Sequence, residues 1–161
     1  RRQGFSGIGL KWPNDIVAPG NKKCGGILIE VSGEANADIS AVIGIGLNIR
    51  MPLHSAEKID QPWTDLHQQA GGKTVSRNHV LLELLNELLT GLQSFEEMGP
   101  ADFLVHWPEY DMLLNQEVKL IDGQQAQNGK VLGISEHGAL RLQQGNVERH
   151  YHSGEISVRL L

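Results

Sequence analysis

The chain has 161 residues, 40% of them hydrophobic, and 14 basic against 19 acidic side chains for a formal charge of −5. The length suits one domain, or one and a small second one, the apolar share is enough for a core, and the acidic balance excludes a global attraction to nucleic acid. One cysteine, Cys24, excludes an internal disulfide, no apolar run reaches the roughly 18–20 residues of a membrane span, and Arg1-Arg2-Gln3-Gly4 is not followed by a signal-peptide apolar region, so a reducing, cytoplasmic setting is expected.

Residues 7–11 read as a strand that runs into Lys11-Trp12-Pro13-Asn14-Asp15. Pro13 forbids regular helix at Trp12, so Asn14 and Asp15 are expected on a turn at the strand end. A carboxylate there can hold a metal, pair with a cation or accept a proton from an attacking amine. Ala18-Pro19-Gly20-Asn21 is turn chemistry leading to a second strand at about 25–32. In Lys22-Lys23-Cys24-Gly25-Gly26-Ile27-Leu28 a lysine stands next to two glycines, where backbone can approach a ligand closely. Residues 40–49 form a third strand, apolar on both faces, which predicts a central buried position. Within it Gly44 and Gly46 share a face that carries no side chain, and Asn48 ends it. The connections predict an antiparallel or mixed sheet. Gly44-Ile45-Gly46 is not a dinucleotide fingerprint, because the third glycine and an immediate helix are missing.

Residues 50–62 read as a loop, and Thr64 as the cap of a short helix from Asp65 to Ala70, stopped by Gly71-Gly72. The clearest helix covers about 77–98, with Ser76 as N-cap and Gly99-Pro100 as its stop. Its Leu81, Leu84, Leu85, Leu88, Leu92 and Phe95 recur at three and four, which predicts a core-facing stripe. Pro100 suits the first turn of a further short helix through Trp107. Composition changes near Leu114, after which short strands at 117–121, 127–134, 139–143, 147–151 and 155–160 alternate with turn signals and predict a small β-barrel. The seven histidines show no metal-ligand spacing; His150 and His152 share one strand face.

Four runs resemble the biotin protein ligases, and within them the bifunctional biotin ligase/biotin operon repressor type. They are Lys11-Trp12-Pro13-Asn14-Asp15, then Lys23, Gly26, Ile27, Leu28 and Glu30, then Ile43-Gly44-Ile45-Gly46-Leu47-Asn48, and finally Gly154-Glu155-Ile156-Ser157-Val158-Arg159. The resemblance covers the chain in order and implies an α+β fold. Residues 1–113 would be part of a class II synthetase-like biotin/lipoyl ligase catalytic domain, with a mixed or antiparallel sheet and helices, and residues 114–161 an SH3-like barrel. Such ligases carry an Arg/Gly-rich biotin loop upstream, and the repressor type adds an N-terminal helix-turn-helix. The chain starts at Arg1 without either, so it is read as the C-terminal half of such a protein, with little activity alone and DNA contact only through a domain it does not contain.

The implied reaction joins biotin to ATP as biotinyl-5′-adenylate and then transfers biotin to a lysine of a biotin carboxyl carrier protein. The resemblance implies Lys23 and Asp15 as catalytic residues, and Lys23, Gly26, Leu28, Gly44, Ile45 and Gly46 as the biotin contacts. It implies Lys11, Asn14, Asp15, Leu47, Asn48 and Arg159 for the nucleotide, and Asp15 with Asn14 for Mg²⁺. Asp15 is left two roles, metal ligand or acceptor of the amine proton. Residues 33–39 match a dimer interface of repressor-type relatives, so a homodimer is expected when the adenylate is bound, and the loop 50–61 is expected to close over it. A lipoyl-protein ligase, or a non-catalytic fragment that only dimerises or binds nucleotide, are the alternatives.

Overall fold

A computed structural model of the chain describes residues 5–33, 39–52, 59, 61–154 and 156–161. It divides into two compact units, residues 1–10 with 14–77, and residues 11–13 with 78–161.

The first unit is built on a sheet of β1 (Gly9–Lys11, of which Lys11 is grouped with the second unit), β2 (Asp15–Ala18), β3 (Lys22–Ser32) and β4 (Ser40–Leu47), in that spatial order. β2 and β3 are antiparallel across a turn in which Gly20 (φ +79°) and Asn21 (φ +55°) take the left-handed conformation that these two residue types tolerate. β3 then pairs antiparallel with β4 from Gly25 opposite Leu47 to Ser32 opposite Ser40. Two expectations need correction. Asp15 does not sit on the turn, which takes residues 12–14; it opens β2, whose Val17 and Ala18 are buried and draw the segment into the sheet. β4 is not central: it ends the strand order and Val42 is 63% exposed, because β3 is the neighbour it pairs with among the described residues.

After β4 the chain reaches α1 (Leu66–Gln69). Its N-cap is Asp65 rather than Thr64. Asp65 is extended, and its carboxylate turns back to accept the Gln68 N–H, while the Thr64 hydroxyl accepts from the Gln69 side-chain amide at 2.9 Å. Residues 34–38, most of the expected dimer segment, and residues 53–58 and 60 of the expected closing loop lie outside the described residues.

The second unit carries α2 (Arg77–Met98), α3 (Ala101–Leu104) and a 3₁₀ turn (Trp107–Glu109). α2 has the expected length, but its leucine stripe is not a core face among the described residues. None of its residues is buried, and Leu81, Leu85, Leu92 and Phe95 are exposed. Periodicity identifies an apolar face; it does not say which polypeptide covers it. Near its end, Phe95 meets Phe103 of α3 with ring centroids 6.0 Å apart.

The rest of the unit is a five-stranded antiparallel barrel of the SH3-like kind. β5 (Glu117–Asp122), β6 (Gln125–Ile134), β7 (Leu140–Gln144), β8 (Val147–Tyr151) and β9 (Ile156–Leu160) lie in the order β8-β7-β6-β5-β9. Alternation fills it: Val118 and Leu120 point in while Glu117 and Lys119 point out. Leu113, Val131, Leu140, Leu142 and Val158 complete the core, and Trp12 packs among them. Gly129 is required where β6 passes β7, because a Cβ there would stand 2.7 Å from the Gln143 carbonyl oxygen and from Leu142 Cγ. An α+β fold that ends in a small barrel was legible in the sequence.

Candidate functional site

Lys23 and Gly26 are three residues apart, so a regular strand would turn them to opposite faces. The register of β2 on β3 prevents this. Asp15 lies opposite Gly26 and Ile16 opposite Gly25, but Val17 lies opposite Lys23. Cys24 is the extra residue of a β-bulge, which turns Lys23 onto the face that carries Asp15 and Gly26. There the Lys23 ammonium is ion-paired with the Asp15 carboxylate, the two side chains being 35% and 15% exposed. A Cβ on Gly26 would stand 3.7 Å from Lys23 Cε and Nζ, so the glycine leaves the end of the lysine lying against bare backbone.

The same face continues across the sheet. Gly46 lies opposite Gly26, and Gly44 opposite Leu28. These residues, with Asn14, Ile27 and Ile45, line an open cleft of about 410 Å³. Three glycines give it a floor of backbone, and Leu28, 60% exposed, gives it an apolar wall. Asn14 is pinned at its rim, its carbonyl accepting the Ile27 N–H at 2.8 Å. A cation–carboxylate pair beside a flat apolar recess can take a ligand with a compact ring and an acidic group.

Residues 113–159 match the family model of the biotin protein ligase C terminal domain. Over 159 residues the chain is 35% identical to the bifunctional ligase/repressor BirA of Escherichia coli K12, covering 99% of this chain and 49% of that protein. The Bacillus subtilis protein of the same name is 30% identical over 152 residues, covering 92% of this chain and 46% of that one. The biotin protein ligase of Aquifex aeolicus, solved in complex with biotin and ATP, superposes with a TM-score of 0.78 at 32% identity, over 96% of this chain and 62% of that one. The chain corresponds to a C-terminal part of the biotin protein ligases. It spans about half the length of the curated relatives it matches.

The sequence-predicted site residues divide. Asn14, Gly26, Leu28, Gly44, Ile45 and Gly46 share the cleft, with Asp15 and Lys23 paired beside Gly26. Leu47 and Asn48 are not among the lining residues. Leu47 lies opposite Gly25, and the Asn48 side chain donates to the Thr64 carbonyl at 3.1 Å. Lys11 and Arg159 belong to the second unit, where Arg159 lies on β9 opposite Lys119. Cys24 is fully buried; burial, aided by the charge of Asp65, pushes its thiol up to about 11, which suits an inert packing group.

Asp65 was not read as a site residue, although a buried carboxylate close in space to Cys24 is unusual company for a strand. In the sequence Asp65 reads only as the first residue of the short helix behind Thr64. On the barrel surface, Glu148 accepts from Arg141 Nε at 2.7 Å and from His150 at 2.9 Å, and these bonds, the arginine's first, hold its carboxyl down at about 2. Among the described residues no group of three or more His, Cys, Asp or Glu side chains is placed to hold a metal ion.

Proposed function

We propose that this chain is the C-terminal half of a biotin–[acetyl-CoA-carboxylase] ligase, with residues 1–113 contributing to the catalytic domain and residues 114–161 forming its terminal barrel. The full-length enzyme activates biotin with ATP and transfers it to a lysine of a biotin carboxyl carrier protein domain. The observation that carries this reading is the Lys23–Asp15 pair set beside a cleft floored by three glycines.

In the first step a biotin carboxylate oxygen bonds to the α-phosphorus of ATP. The bond from that phosphorus to the bridging oxygen breaks, and pyrophosphate leaves. Lys23 balances the negative charge where carboxylate and phosphate meet. The bicyclic ring rests against Gly26, Gly44 and Gly46, with Leu28 and Ile45 at its edge. Asp15 and Asn14 are the residues that would hold Mg²⁺. One carboxylate and one amide fit an ion that takes most of its ligands from phosphate and water, and when bound it offsets phosphate charge. In the second step the carrier amine attacks the acyl carbon, the bond to AMP breaks, and Asp15 receives the amine's proton. The assignment of Lys11, Leu47, Asn48 and Arg159 to the nucleotide rests on the family resemblance.

The exposed leucine face of α2 and the exposed Ile29, Val31 and Val42 of β3 and β4 support a longer polypeptide that covers them. Residues 1–161 alone are therefore expected to carry little activity. A homodimer on adenylate binding, operon repression through a DNA-binding segment outside this chain, and a cytoplasmic setting complete the reading. No helix among the described residues is long and apolar enough to cross a membrane.

Pyrophosphate exchange into ATP by the full-length protein tests the reading. Exchange should depend on biotin, and Lys23→Ala should lower it about 100-fold while leaving the melting temperature nearly unchanged. Exchange driven by lipoate, or none with either acid, would reject it.

A further inference from the structure

Lys23 is held by its backbone as well as by its ammonium. Its N–H donates to the Pro62 carbonyl at 2.8 Å, and its own carbonyl accepts from the Thr64 N–H at 2.9 Å, a parallel bridge that sets Trp63 beside it. Residues 62–64 lie in no regular strand, so their place depends on what anchors them. Asp65 follows them directly. It is 2% exposed, and its two oxygens do different things: Oδ1 accepts the Gln68 N–H at 2.8 Å and caps α1, while Oδ2 accepts the Met51 N–H at 2.8 Å, from the chain that leaves β4. Two cross-ties lie alongside, from Asn48 Nδ2 to the Thr64 carbonyl at 3.1 Å and from the Leu66 N–H to the Asn48 carbonyl at 2.8 Å.

A helix of one turn needs only a short neutral cap, and serine or asparagine serves as well as aspartate. The bond to Met51, 14 positions upstream, is not needed for capping. A carboxylate is costly to bury, and it persists where fixed N–H donors meet both oxygens.

We propose that Asp65 is a positioning residue. By tying Met51 to the start of α1 it holds residues 62–64 against β3, and so fixes where the Lys23 ammonium lies over Gly26. This rests on the role given to Lys23 above. Asp65 touches neither substrate nor the reacting atoms; it acts through the backbone of its neighbour.

The test is a double-mutant cycle in the full-length protein, read by biotin-dependent pyrophosphate exchange. Asp65→Ser keeps a capping oxygen for Gln68 but is too short to reach Met51. It should lower kcat about 10–100-fold, with a smaller change in the KM for ATP. Placed on Lys23→Ala, it should cause no further loss, because the group it positions is already gone. Losses that multiply in the double variant would show a general structural role and overturn the proposal, as would an Asp65→Ser enzyme with wild-type kcat. If Asp65→Ser does not fold, Asp65→Asn, which keeps the size and one acceptor oxygen, takes its place in the same cycle under the same criteria. A wild-type rate in Lys23→Ala alone is a separate outcome; it removes the role of Lys23, and the positioning of it falls too.

Discussion

The indole N–H of Trp12 donates to the backbone carbonyl of Gly138 at 3.0 Å, across 126 positions of sequence. Trp12 is 4% exposed and shares the core of Leu113, Val118, Leu120, Leu140 and Leu142. The aromatic residue of the Lys-Trp-Pro-Asn-Asp run is thus a core residue of the second unit, while Asn14 and Asp15 of the same run belong to the first.

Trp12→Ala should therefore behave as a large-to-small core substitution and cost about 3–5 kcal/mol of stability. Trp12→Phe keeps most of the apolar contact but leaves the Gly138 carbonyl without its donor, and should cost about 1–3 kcal/mol. Urea unfolding of the full-length protein, followed by a signal from the barrel, measures both. An unchanged barrel transition in Trp12→Ala would remove Trp12 from the core.

The strands of the barrel, the span of α2 and the bare glycine face of β4 were legible because each is a local pattern: alternation, three-four spacing, or two glycines two apart. The pairing of Lys23 with Asp15 was not. It depends on a one-residue bulge at Cys24, and no spacing rule announces a register shift. The exposure of β4 and of Leu81, Leu85 and Leu92 departs from the apolar pattern for a related reason. An apolar pattern reports a preference for burial, and the surface that satisfies it need not lie in the same 161 residues. Asp65 escaped because its second bond, to Met51, joins segments that only the fold brings together.

The glycines of β3 and β4 should separate folding from binding. At Gly46 an added Cβ would meet the Gly26 carbonyl at 3.8 Å, and at Gly44 it would meet the Leu28 carbonyl at 3.6 Å, both ordinary contacts. Gly46→Ala should change stability by no more than about 0.5 kcal/mol. Its methyl would project into the cleft, and biotin binding by the full-length protein should weaken about tenfold, or about 1.4 kcal/mol. Gly25 faces the other way, and a Cβ there would collide with the Gly46 carbonyl oxygen. Gly25→Ala should lower stability by about 1–3 kcal/mol, since one backbone strand must shift. Thermal unfolding and calorimetric titration with biotin report the two effects separately. Full affinity in Gly46→Ala would place the ring elsewhere.

Cys24 gives the chain a defined weakness in alkali. Burial, with the charge of Asp65 added to it, raises the thiol from 9.0 to about 11, so the folded state keeps its proton over a range where the unfolded chain has lost it. The sign follows from proton counting. Between those two values the folded protein binds more protons than the unfolded one, so stability falls as pH rises. The contribution is complete below 9.0 and is lost as pH passes through about 11. At its steepest the slope is about 1.4 kcal/mol per pH unit for a single group. Cys24→Ala removes the titrating group, and urea unfolding at a series of alkaline pH values should show a shallower decline for that variant. The same shift predicts slow chemistry at the thiol. At a pH below both values the thiolate fraction is about 100-fold smaller than in an unburied cysteine, and iodoacetamide should label the native protein more slowly by at least that factor. Parallel pH slopes for wild type and Cys24→Ala, together with labelling at the rate of a free thiol, would mean that Cys24 is neither buried nor shifted in solution.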